Sequence, residues 1–102
     1  MRFVWSYRLL ERDGARWKPL HRVWARDEQT ALKATLLLRD VEAEEAGLTR
    51  YFDKRYWFAT QLIGALPLEV FLERIDDEYA LEALYADEAI VDYFEQGDYG
   101  VL

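Results

Sequence analysis

An α+β fold, a small antiparallel sheet built on an N-terminal β-hairpin and packed against three to four helices, is the class predicted by this 102-residue chain. Three observations lead there. Two alternating, aromatic-rich segments flank an Asp-Gly turn signal; a capped, helix-spaced stretch follows; and the last third is acidic with helical spacing. Strand one covers about residues 2–10, with Phe3, Trp5, Tyr7 and Leu9 alternating against Val4, Ser6, Arg8 and Leu10. Asp13-Gly14 suits a two-residue turn with positive φ at both central positions, so about 17–25 returns as strand two. Facing residue numbers then sum to 27, setting Glu11 opposite Arg16, Phe3 opposite Trp24 and Tyr7 opposite Leu20. Pro19 lacks an amide donor, which places strand two at a sheet edge or a bulge.

Asp27 is a good N-cap and Gly47 a natural C-terminal stop, bounding a helix that includes Ala31, Leu32, Thr35, Leu38 and Val41. From Leu48, the apolar positions Tyr51, Phe52, Tyr56, Ala59, Leu62, Ile63 and Leu66 fit helical spacing best. A strand at 55–63 is the competing reading, because Tyr56-Trp57-Phe58 has high strand propensity. Pro67 suits the first turn of a short helix ending near Ile75. Asp76 or Asp77 then caps a helix running toward Gly97, with a break at Asp87 as the variant reading. One sheet face should be core. The other, interrupted by Ser6, Arg8 and His21, is either a partner surface or ordinary exterior.

Size and composition bound the function. The chain fits one domain over residues 1–102, and with 52% hydrophobic residues it can bury a core. The absence of cysteine excludes disulfides and thiolate metal sites. The longest uncharged run, Tyr56 to Leu68, is too short to span a bilayer, and the N-terminus does not read as a signal peptide, so a cytoplasmic protein without membrane contact is expected. The net charge of −7 hides a gradient. Residues 1–26 carry seven basic groups against Glu11 and Asp13; residues 59–102 carry eleven carboxylates against Arg74 alone.

Catalytic chemistry finds little support. Ser6 and His21, the single serine and histidine, face each other in the sum-to-27 register, but no strained elbow or oxyanion donor cluster accompanies them. No His-based metal motif, calcium loop or phosphate-cradling glycine spacing is present. The chain therefore reads as not an enzyme, without cofactor or metal.

On one continuous helix, Asp77, Glu78, Leu81, Glu82, Tyr85, Glu88, Asp92 and Glu95 fall within ~140° of arc. This predicts an acidic ridge with Leu81 and Tyr85 as apolar anchors. The expected function is a noncatalytic protein–protein interaction module that docks on a basic protein surface, for example by competing with nucleic acid for it. In composition the chain is similar to the small acidic DNA-mimic inhibitors carried by phages and mobile elements. A homodimer joining one hairpin to the other chain's acidic helix is a further expectation. The alternative is a small nucleic-acid-binding domain using Arg8, Lys18, Arg22, Arg26, Arg50, Lys54 and Arg55, since Arg50 to Trp57 interleaves cations with aromatic rings. Against that alternative, a helix there is expected to turn Tyr51, Phe52 and Tyr56 into the core and leave only its cations in solvent.

Overall fold

A computed structural model describes residues 2–74, 82, 86 and 88–93. Its elements run β1 (Phe3–Asp13), β2 (Arg16–Ala25), α1 (Glu28–Glu45), α2 (Tyr51–Trp57), β3 (Phe58–Pro67), α3 (Leu68–Arg74) and β4 (Ile90–Tyr93). The four strands form one antiparallel sheet in the order β3-β1-β2-β4. The α+β class and the hairpin agree with the sequence reading, and three helices stand among the described residues.

The hairpin turns one residue later than expected. Asp13 pairs with Arg16, so the turn is Gly14-Ala15, with Gly14 at φ 61°. Beyond it, Leu20 is an extra residue, because Leu10 faces Pro19 while Leu9 faces His21. Such a bulge suits the neighbourhood of a proline that cannot donate to the ladder. Together the later turn and the bulge replace the sum-to-27 register. Tyr7 lies opposite Val23, Glu11 opposite Lys18, and Ser6 opposite Trp24; Phe3 pairs with Pro67 of β3 instead.

Alternation along β1 then assigns the two faces. Tyr7, Leu9, Val23 and Ala25 turn toward α1 and meet Ala31, Leu32, Leu38 and Ala43, while Phe58 of β3 closes the same layer against Leu9 and Ala43. Val4 and Trp24 turn to the other face and bury Phe71 of α3, whose ring centroid is 5.0 Å from that of Trp24. That second face was expected to be partner surface or ordinary exterior. At one end it is instead covered by α3, because Pro67 stops β3 and starts a helix carrying Phe71 and Leu72 on its inner side.

Helix α1 is bounded as its caps predict. The Asp27 carboxylate accepts from the Thr30 amide at 2.8 Å and from the Thr30 hydroxyl at 2.7 Å. At the other end Gly47 adopts φ 76°, and the Leu48 amide donates to the Ala43 carbonyl at 2.8 Å, with Leu48 packing beside Ala43. Two polar ties hold the helix to the sheet: the Tyr7 hydroxyl donates to Glu28 at 3.1 Å, and His21 Nε2 donates to Glu42 at 2.8 Å. Burial and the Glu28 carboxylate push the Tyr7 phenol above its usual range.

Two segments depart from the sequence reading. The long middle helix ends at Trp57, and Phe58–Pro67 is a strand, closer to the competing reading. It pairs with β1 from Glu11 to Phe3, an edge that a two-stranded hairpin would leave open. In the acidic third, Ile90–Tyr93 is strand β4, so a single helix from Asp76 or Asp77 to Gly97 does not form. Ile90 and Val91 there pack on opposite faces, with Trp24 and Val23 respectively in adjacent clusters.

Hydrogen bonds from Thr30 hold the Asp27 carboxyl below the ordinary carboxylate range. Asp27→Ala is expected to cost about 1 kcal/mol at neutral pH. A depressed folded-state value means this contribution is complete above the unfolded value of ~4 and fades as pH falls through the lower folded value. Thermal unfolding of both proteins at neutral pH and in strong acid should show the stability gap closing on the acid side.

Candidate functional site

The acidic set predicted for partner binding is only partly within the described residues. Asp77, Glu78, Leu81, Tyr85 and Glu95 lie outside them. Glu82 and Glu88 are exposed, and the Glu82 carbonyl accepts from the Ala86 amide at 3.0 Å, one helical step. Asp92 belongs to β4, in register with Arg22. Glu88 and Asp92 are therefore not successive positions on one helical ridge: Ile90-Val91 carries β-branched side chains suited to a half-buried strand and pairs with the edge of β2.

The basic set is dispersed. Arg8 and Arg22 lie opposite each other on the α3 side of the sheet, a like-charge pair that needs compensation. Arg8 donates to Gln61 Oε1 through Nε at 3.2 Å and Nη2 at 2.7 Å. Arg22 is buried, its Nε donating to the Ser6 hydroxyl and its guanidinium lying 4.6 Å from the Trp24 ring centre. It belongs to the interior of the fold, not to an outer contact surface. Arg26 is half-buried at the end of β2 and Lys18 is exposed. Lys54 is half-buried with Nζ 3.5 Å from Asp40, whereas Arg50 and Arg55 are exposed.

Ser6 and His21 do not meet. In the observed register His21 pairs with Leu9, three residues from Ser6, so the two side chains occupy opposite faces of the sheet. Ser6 serves Arg22 and His21 serves Glu42.

Helix α2 is where the structure departs most usefully from expectation. None of its seven residues is buried: Tyr51 is 64% and Phe52 77% exposed, and Tyr56 and Trp57 are also open to solvent. The sequence reading had turned Tyr51, Phe52 and Tyr56 into the core. The helix is too short to present an inner stripe of its own; its half-buried residues are Asp53 and Lys54, and the next residue, Phe58, supplies the core contact. The ion pair of Lys54 with Asp40 of α1 lies on the inward side.

Arg12 of β1 holds this flank together. Its guanidinium lies 4.7 Å from the Trp17 ring centre and 4.4 Å from that of Tyr56, while Nε donates to the Tyr56 carbonyl at 3.1 Å. Tyr56 meets Trp57 edge-on at 5.2 Å, and the guanidiniums of Arg39 and Arg55 lie 5.9 and 5.7 Å from the Tyr51 ring centre. Tyr51, Phe52, Arg55 and Tyr56 line a shallow open depression. Guanidinium groups and aromatic rings thus alternate along this flank in cation–π contact. Arg12 and Trp17 were not among the predicted site residues. The signal available was their cross-strand pairing, which only the observed register reveals.

Compared with protein-family models, with curated proteins and with solved structures, the chain finds no match in any of the three. Among the described residues, no helix is long and apolar enough to cross a membrane.

Arg12→Ala removes both cation–ring contacts and the bond to the Tyr56 carbonyl. The expected result is a loss of about 1 kcal/mol in stability with altered tryptophan fluorescence from Trp17 and Trp57. Arg12→Lys should not restore the spectrum, because an ammonium group cannot lie flat between two rings. Urea unfolding followed by fluorescence reads both effects.

Proposed function

We propose that the protein is a noncatalytic protein–protein interaction module whose docking surface is the α2 flank rather than an acidic helical ridge. The observation that carries this reading is that α2 has no buried residue although four of its seven side chains are aromatic. Aromatic and arginine side chains are the usual anchors of protein interfaces, and clustered exposure of this kind marks an interaction site more often than ordinary exterior. The partner that fits is a protein with an apolar groove for Phe52 and Tyr51, rimmed by carboxylates facing Arg50 and Arg55. Charge at the rim would set the association rate, and the rings the residence time.

A second reading, single-stranded nucleic acid, is favoured by the alternation of cations with open rings around Arg12, Trp17, Tyr56 and Arg55. Against it stands the net charge of −7, which repels a polyanion at a distance.

The two readings separate experimentally. Amine cross-linking in a cell lysate, followed by mass spectrometry, should place partner cross-links on Lys54 and Lys18 rather than on Lys33 of α1. The double variant Tyr51→Ser, Phe52→Ser, which removes exposed rings and leaves the core intact, should abolish them. A partner retained by that variant, or cross-linked only through Lys33, refutes the α2 surface. Fluorescence anisotropy with a short single-stranded oligonucleotide at low salt tests the other reading: saturable binding lost in Arg55→Ala would favour it.

A further inference from the structure

Four residues of α2, Tyr51, Phe52, Arg55 and Tyr56, share one side of the helix. At ~100° per residue they fall within ~140° of arc, with Arg55 between Tyr51 and Phe52 around the axis. The acid of this helix, Asp53, falls on the other side and is half-buried. The open depression that the four residues line has a volume of about 400 Å³. Its walls are therefore three rings and one cation, and no carboxylate lines it.

Open rings in a cluster ordinarily suit a cationic ligand, because the faces of aromatic rings attract positive charge within about 6 Å. On this flank those faces already have cations. Arg12 lies 4.4 Å from the Tyr56 ring centre, and Arg39 and Arg55 lie 5.9 and 5.7 Å from that of Tyr51. Nearby carboxylates do not offset them. Asp40 serves two cations at once, Arg39 at 3.3 Å and Lys54 at 3.5 Å, and among the described residues neither Arg50 nor Arg55 forms an ion pair. In a chain of net charge −7 this flank is a local excess of positive charge, which repels a further cation and attracts an anion.

We propose that the depression takes a short acidic–apolar segment of a protein partner: a Glu or Asp carboxylate on Arg55, and a neighbouring Leu or Phe side chain against Phe52 and Tyr56. The proposal rests on the docking role of α2 and names the chemistry of what docks there. A carboxylate fits better than a phosphate for two reasons. The guanidinium fork offers parallel donors that match the two carboxylate oxygens. A phosphate dianion calls for several converging cations, whereas Arg39 is held by Asp40 and Arg55 alone lines the depression. The apolar neighbour adds affinity by burying Phe52, whose ring surface is the most open of the flank at 77% exposure.

The probe is a blocked tetrapeptide, Glu-Leu-Phe-Glu, titrated into the full chain at low salt while amide chemical shifts are followed. Saturable shifts centred on α2 are expected. Replacing both acids of the peptide by Gln should weaken binding about fivefold, near the upper end for an exposed ion pair, and Arg55→Gln should do the same to the acidic peptide. Phe52→Ser should weaken both peptides alike. Both substituted side chains are exposed, and circular dichroism checks that the fold is kept. No shifts on α2 at millimolar peptide overturn the proposal, as does equal affinity for the Gln peptide, an Arg55→Gln chain that binds unchanged, or tighter binding of tetramethylammonium or inorganic phosphate at these residues. Cross-linking in the lysate separates this claim from the one beneath it. A partner lost in the Tyr51→Ser, Phe52→Ser variant but kept in Arg55→Gln leaves α2 as the docking surface and removes the acidic segment; a partner kept in both removes both.

Discussion

Strand β1 is paired along both edges over nearly its whole length, with β2 on one side and β3 on the other, and the direction of each of its side chains is thereby set twice. Both neighbours contain a bulge, at Leu20 and at Ile63, while β1 itself stays regular. This is how a sheet accommodates mismatched strands without losing its inner alternation: the extra residue goes to the partner, where it bends and twists the outer strand. Because β1 is regular, Tyr7 and Leu9 reach α1 while Val4 and Ser6 reach the opposite side. Slipping the β1 register by one residue would exchange every one of these, putting Arg8 under the helix and Leu9 beside Arg22.

The same constraint explains the buried arginine. A guanidinium removed from water is unfavourable by several kcal/mol unless its surroundings restore hydrogen bonds and charge. Arg22 stands between β1 and β4, donates through Nε to the Ser6 hydroxyl on one strand and has the Trp24 ring on its own, and the backbone register pairs it with Asp92 on the other. Strand β4 of the acidic last third thus pairs with β2 of the basic first third.

What was legible in the sequence was local. The two hairpin strands, the Asp27 and Gly47 limits of α1, and the start of a helix after Pro67 each follow from residues within a turn or two of the feature itself. The register was not legible. Pro19 marked an edge or a bulge and the structure takes the bulge, but the shifted turn and the extra residue at Leu20, which reverses the face that the start of β1 shows to β2, follow from no local signal. The change from α2 to β3 between Trp57 and Phe58 was also hidden, since Tyr56-Trp57-Phe58 suits either state; the open edge of β1, more than forty residues earlier, decides it. Likewise Ile90-Val91 fits a helical stripe until the edge of β2 is available. Of the site, the interleaved cations and rings of 50–57 were visible, but their outward orientation depends on Asp40 and Arg12, which lie far away along the chain.

That orientation is also what gives the α2 flank its physical meaning. Rotating the helix to bury Tyr51 and Phe52 would pull Lys54 from Asp40 and Tyr56 from Arg12, so the outward rings and the inner polar contacts go together. The exposed parts of these rings gain nothing from hydrophobic burial in the isolated chain. They do lose conformational freedom, since Tyr56 is clamped at its ring and its carbonyl by a single arginine that also stacks on Trp17. Ordering side chains at an interface normally opposes association by about 0.5–1.5 kcal/mol for each one immobilised. For Tyr56 part of that cost is already met by Arg12 in the isolated chain, so under the proposed docking role its contact area would convert more fully into affinity.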